Sequence, residues 1–171
     1  MDHELERLSA RIGAALERRG WMLGTAESCT GGWIAEVVTA TAGSSNWFDR
    51  GFVTYSNAAK SDMLAVAEHT LNRYGAVSEE TVVEMVAGTL NKSKADIAVA
   101  VSGVAGPGGG TPAKPVGLVC IAWAVRGSPP FATTRHFDGD REAVRRQTVI
   151  AALDTVVQLA DSGSISAISV P

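Results

Sequence analysis

The chain has 171 residues, 46% of them hydrophobic and 19% charged, with a formal net charge of −3. That length suits about one domain with a real buried core, and the composition argues against long disorder. The acidic balance argues against a general nucleic-acid binder, which needs a basic face to displace counterions from phosphates.

Leu5, Leu8, Ile12, Ala15 and Leu16 recur at helical spacing among Arg7, Arg11, Glu17 and Arg18, and Gly20 is a plausible stop. Residues 21–26 read as a short buried strand. It runs into Glu27-Ser28-Cys29-Thr30-Gly31-Gly32, after which 33–41 is helical. A strand, a polar glycine turn and a helix, in that order, aim free backbone N–H groups at a ligand. Ala42-Gly43-Ser44-Ser45 breaks the helix. A strand is expected over 48–55 and a helix over 57–66 that carries Lys60. Ser78 has the character of an N-cap, with Glu79 and Glu80 in the first turn and Val82, Val83, Val86 and Leu90 as the apolar face.

Residues 96–101 are a β-branched strand entering Ser102-Gly103-Val104-Ala105-Gly106-Pro107-Gly108-Gly109-Gly110. Two further strands are expected over 115–125 and 131–137, joined at Gly127-Ser128-Pro129-Pro130 as a hairpin. Asp138-Gly139-Asp140 opens a last helix to about residue 160. The hairpin interrupts a pure helix–strand alternation, so the expected fold is α/β, a mixed sheet between helical layers. One domain over 1–161 and a patternless tail over 162–171 complete the outline.

Four groups of residues can carry chemistry. Ser28, Thr30 and Gly31 sit where a strand turns into a helix, as an anion or oxyanion site or simply as a cap. Ser102 and Gly103 end a strand at the place where open α/β sheets bind ligands, with a surface loop as the bland alternative. Ser44, Ser45, Tyr55 and Lys60 offer a hydroxyl nucleophile and an amine base; a desolvated lysine can take a hydroxyl proton. Arg141, Arg145 and Arg146 open the last helix against its dipole, either as a solvated face or because an anion gathers them. Cys29 stands at a helix start, yet no histidine or acid has a family-typical spacing to it, so packing is its expected role. Cys120 and the scattered His3, His69 and His136 form no ligand spacing, and no metal or cofactor is expected. The acidic start has no signal-peptide character, and no apolar run approaches bilayer length, so a cytoplasmic protein without membrane contact is expected.

Taken together, Thr25-Ala26-Glu27-Ser28-Cys29-Thr30-Gly31-Gly32, Gly51-Phe52-Val53-Thr54-Tyr55-Ser56-Asn57, Lys60, Gly75-Ala76-Val77-Ser78, Ser102-Gly103-Val104-Ala105-Gly106-Pro107, Pro115-Val116-Gly117 and Gly139-Asp140-Arg141 resemble the C-terminal domain of the CinA (competence/damage-inducible) family in its stand-alone nicotinamide-nucleotide amidase form. The segments follow in order, and the resemblance covers nearly the whole chain from Leu5 to Ala160. The resemblance implies a three-layer α/β/α domain, assembled as a homodimer or higher homo-oligomer. It implies hydrolysis of nicotinamide mononucleotide to nicotinic acid mononucleotide and ammonia. By the same resemblance Ser45 is the nucleophile, with Ser44 in competition, Lys60 its base and Tyr55 a polar partner. Ser28, Ser102 and an arginine near Arg141 hold the substrate. Two other readings stand beside it: a non-catalytic regulatory module, and an amidase whose nucleophile is Cys29.

Overall fold

A computed structural model describes residues 1–164 and 166. In chain order it contains α1 (His3–Arg19), β1 (Leu23–Glu27), α2 (Trp33–Thr39), a 3-10 turn (Ser44–Asn46), β2 (Phe48–Val53) and α3 (Asn57–Leu64). There follow α4 (Glu68–Tyr74), α5 (Glu79–Asn91), β3 (Ile97–Gly103), β4 (Leu118–Val125), β5 (Phe131–His136) and α6 (Arg141–Ser162). Expected strands and helices are present with edges moved by a few residues; α4 had no expectation. The reading of the tail falls largely outside the described residues, and α6 itself extends to Ser162.

The five strands lie in the order β2-β1-β3-β4-β5. β1 runs parallel to β2 and β3, whereas β4 and β5 return antiparallel, which makes the sheet mixed. Each side chain of a strand points to the face opposite its neighbour's, and the sequence uses that period with care. Ile97, Val99 and Val101 of β3, with Val119, Ile121 and Trp123 of β4, pack in the core beneath α1, α2 and α6. Ala98, Ala100, Cys120, Ala122 and Ala124 point the other way, toward α3, α4 and α5. Large residues on one face and small ones on the other let α5 lie close on the sheet. The result is three layers, α/β/α.

Helix ends follow from their caps. Asp2, Ser56, Ser78 and Asp140 each accept backbone N–H groups of the first turn that follows them, a contact of about 1 kcal/mol each. Among the described residues no helix is long and apolar enough to cross a membrane.

The strand directions settle where a site can form. β1 ends level with β2, where Glu27 pairs with Val53, while β3 pairs with Glu27 at Val101 and runs two residues further, to Gly103. Because β2 and β3 lie on opposite sides of β1, the chain's winding reverses there, and a crevice opens beyond the carboxyl ends.

Candidate active site

At that crevice the period-2 rule separates two neighbouring residues. Glu27, with Leu23, faces the α2 side, and Ser28 is turned toward the α3 side. The Glu27 side chain is buried, yet it is fully engaged. Its carboxylate accepts from the Thr30 hydroxyl at 2.7 Å, from Ile34 N–H at 2.8 Å and from Ala35 N–H at 3.0 Å. It therefore caps α2 from inside the sheet and folds the chain between 27 and 30 into a tight turn. Gly31 and Gly32 continue it at positive φ (61° and 103°), where a side chain would be strained.

Ser28 is held by its N–H, which donates to the Val101 carbonyl at 3.1 Å. Its hydroxyl meets Lys60, whose Nζ lies 3.0 Å from Ser28 Oγ and 2.8 Å from the Thr54 carbonyl oxygen. Thr54 is itself fixed, because its N–H donates to the Glu27 carbonyl at 2.8 Å. Lys60 is only 1% exposed and has no acidic partner among the described residues, a rarity for a lysine. Burial disfavours its charged form and pulls the amine below the ordinary value of 10.5. A lowered amine touching a hydroxyl is the arrangement that activates a serine.

The remaining groups frame this pair. Ser102 is buried at the end of β3, paired with Cys120 across to β4, on the same face of the sheet as Ser28. Gly103 closes the strand. Any Cβ there would lie 2.6 Å from the Val119 side chain. Arg141 bridges two loops at the mouth, donating to the Gly106 carbonyl at 2.8 Å and to the exposed Tyr55 hydroxyl at 3.0 Å. Arg145 donates to the carbonyls of Cys29 at 3.1 Å and Thr30 at 3.0 Å, and its guanidinium stacks over the Trp33 ring. Arg146 has a different task, gripping Asp2 and Glu4 at the start of α1 and holding the Asp2 carboxyl down at about 2. A cavity of about 540 Å³ opens on the α2–α6 flank of the turn, lined by Thr30, Gly31, Trp33, Glu36, Arg141 and Arg145 among others. It abuts the Ser28 turn, but neither Ser28 nor Lys60 lines it.

The expectation that pairs Ser45 with Lys60 does not survive the geometry. Ser45 and Ser44 lie in the 3-10 turn that precedes β2. There Trp47 accepts from Leu23 N–H, at the start of β1. Lys60 bonds beyond the other end of β2. The whole strand, about 20 Å at 3.3 Å per residue, stands between them. Cys29 is buried, and burial pushes its thiol up to about 11, away from a reactive thiolate. The Thr30 hydroxyl is committed to Glu27 and its carbonyl to Arg145, leaving its backbone N–H for any ligand. Glu27 and Thr54 were not foreseen as site residues. Glu27 lies inside the quoted motif, and its position just before a glycine turn and helix was the available signal. Among the described residues no group of three or more His, Cys, Asp or Glu could hold a metal ion.

Known proteins resemble this chain over most of its length. The model of the CinA C-terminal domain matches residues 5–160. The nicotinamide-nucleotide amidohydrolase PncC of Escherichia coli K12 is 54% identical over 157 residues, covering 92% of this chain and 95% of that protein. A protein of the same name from Pseudomonas putida is 59% identical over 152 residues, covering 89% and 94%. The crystal structure of the competence/damage inducible protein CihA from Agrobacterium tumefaciens superposes with a TM-score of 0.89 at 47% identity, covering 93% of this chain and 97% of that one. The chain belongs to the CinA C-terminal domain family.

Proposed function

We propose that this chain is a nicotinamide-nucleotide amidohydrolase that converts nicotinamide mononucleotide to nicotinic acid mononucleotide and ammonia, with Ser28 as nucleophile and Lys60 as its base. The observation that carries the reading is the 3.0 Å contact between Lys60 Nζ and Ser28 Oγ in a buried setting where, among the described residues, the amine has no carboxylate partner. A module that only binds has no use for a buried, unpaired lysine, which costs stability.

In the protonated form Lys60 donates to both Ser28 and Thr54. Once neutral it keeps a donor on the Thr54 carbonyl and turns its lone pair to the Ser28 proton. Ser28 Oγ then attacks the carboxamide carbon while its proton passes to Lys60 Nζ. The tetrahedral oxyanion needs donors, and the N–H groups of Thr30 and Gly32 have no acceptor among the described residues. Collapse breaks the C–N bond, and Lys60 returns the proton to the leaving nitrogen, which departs as ammonia. A water molecule, deprotonated by the same amine, hydrolyses the ester, releasing the carboxylate and restoring Ser28. One base serves both halves in turn, as microscopic reversibility requires.

Around this chemistry Ser102, Gly103 and Gly31 shape the pocket, and Tyr55 and Arg141 at the mouth receive the ribose phosphate. Residues 1–161 act as the catalytic domain, in the cytoplasm and as a homo-oligomer; these settings rest on the family resemblance. The test is direct. Purified protein with nicotinamide mononucleotide should release ammonia and nicotinic acid mononucleotide in equal amounts; no ammonia from folded protein overturns the proposal.

A further inference from the structure

Arg145 is four residues along α6 from Arg141, yet it is engaged differently. Its Nε and Nη2 donate to the carbonyls of Cys29 and Thr30, the two residues immediately after Ser28. A grip on a substrate phosphate through the same fork would break one of these bonds. The guanidinium is also braced from the side by the Trp33 ring, 5.3 Å from its centroid. The other side of the turn is anchored by the Glu27 carboxylate through Thr30, Ile34 and Ala35.

A trans peptide is planar, and its C=O and N–H point in opposite directions. Fixing the Cys29 carbonyl on Arg145 therefore fixes where the Thr30 N–H points, which is away from α6. That N–H has no acceptor among the described residues. We infer that Arg145 is a positioning residue for amide hydrolysis: it holds the 29–30 and 30–31 peptides so that the Thr30 N–H is presented to the oxyanion that forms beside Ser28. The inference rests on Ser28 being the nucleophile. It assigns Arg145 a role in the chemical step, in place of substrate phosphate recognition.

A phosphate ligand and a peptide-positioning residue differ in which kinetic constant they move. Loss of a positioned donor lowers kcat, and a shift of about 1 Å at a reacting centre costs roughly 10²-fold. Loss of a phosphate contact raises KM for the nucleotide and leaves the riboside, which has no phosphate, unaffected.

The experiment measures kcat and KM for nicotinamide mononucleotide and nicotinamide riboside in wild type, Arg145→Ala, Arg145→Lys and Ser28→Ala, with thermal melting of each. Arg145→Ala is expected to lower kcat about 10²-fold for both substrates alike, with KM for the nucleotide within about threefold of wild type, a sub-kcal/mol change. Free guanidinium ion at millimolar concentration should restore part of kcat in Arg145→Ala, and not in Ser28→Ala. If Arg145→Ala does not fold, Arg145→Lys decides, since it keeps the charge and the stem but cannot hold both carbonyls in one plane. A folded variant with wild-type kcat, or with a KM increase confined to the nucleotide, overturns the inference. Ser28→Ala with near-wild-type turnover overturns the nucleophile assignment, and the Arg145 inference with it. An inactive Ser28→Ala beside a fully active Arg145 variant sinks the Arg145 role alone.

Discussion

Lys60 Nζ stands 3.0 Å from Ser28 Oγ and 2.8 Å from the Thr54 carbonyl, at the carboxyl ends of β1 and β2. Neither residue is near the other in sequence, and each is delivered by a separate rule. Alternation along β1 turns Ser28 to the α3 face. The Ser56 cap starts α3 so that its fourth residue, Lys60, points back at the strand ends.

That relationship sets the first prediction. Ser28→Ala and Lys60→Ala should each abolish ammonia release while the protein stays folded, and the double variant should lose little more, because groups that act as one unit are not additive. Ser45→Ala, at the far end of β2, should keep near-wild-type kcat. Steady-state ammonia assays on the four variants decide it; an inactive Ser45→Ala with an active Ser28→Ala reverses the assignment.

The second concerns pH. Burial lowers the Lys60 amine below 10.5, and only the neutral amine is a base, so kcat/KM should rise with pH and level off at an inflection below 10.5. The same shift has a stability consequence. Between the lowered folded value and 10.5 the unfolded chain binds more protons at Lys60 than the folded one, so stability gains with pH across that window. Wild type should therefore gain on Lys60→Met as pH rises through it, measured as the difference in Tm. A difference that stays flat with pH would show that Lys60 is not held neutral by the fold.

The third concerns thiols and metals. Cys29 is buried with its thiol pushed up to about 11, so alkylating reagents at neutral pH should leave turnover intact, and Cys29→Ala should retain it. Activity should also survive EDTA. Inactivation by alkylation that substrate prevents would favour the thiol, and loss on chelation restored by zinc would require a metal.

Most elements were legible because their signals are local. Ser78 and Asp140 cap helices where their residue types suggest, and β3 alternates the β-branched Ile97, Val99 and Val101 with alanines. The Ser–Lys pair was not legible, since spacing along the chain does not tell which end of a strand a residue reaches. Ser45 and Ser28 both sit in polar turns beside a strand; only the parallel pairing of β1 with β2 puts one with Lys60 and the other a strand-length away. Gly88 was equally silent. In sequence it is a weak spot in a helix, but in the fold α3 ends against it.

This gives the fourth prediction. A Cβ on Gly88 would lie 2.1 Å from the Leu64 carbonyl oxygen, with no flexible side chain to yield. Gly88→Ala should therefore cost about 1–3 kcal/mol by overpacking, despite alanine's better helix propensity. Tm should drop by several degrees, about 2–4 °C per kcal/mol at this size. Because α3 carries Lys60, kcat should fall as well. A Tm at or above wild type would show that α3 can withdraw freely.

The last prediction separates Arg141 from its neighbour Arg145. Arg141 is exposed at the mouth, and one of its two partners is the Tyr55 hydroxyl, which can rotate to release the guanidinium. A charge-assisted contact from it to a nucleotide phosphate is worth about 1.5–3 kcal/mol. Arg141→Ala should thus raise KM for nicotinamide mononucleotide about tenfold or more, at roughly 1.4 kcal/mol per decade, with little change in kcat. The riboside should be a poor substrate of wild type and should barely sense the change. Arg141→Lys should recover only part of the loss, because an ammonium cannot make the planar two-point contact. Tyr55→Phe should act weakly in the same direction, since it removes a hydroxyl that would meet the phosphate but leaves the guanidinium charge in place. Both substrates must be measured on each variant. An equal loss for nucleotide and riboside would move Arg141 from phosphate recognition to holding the Gly106 loop against the site.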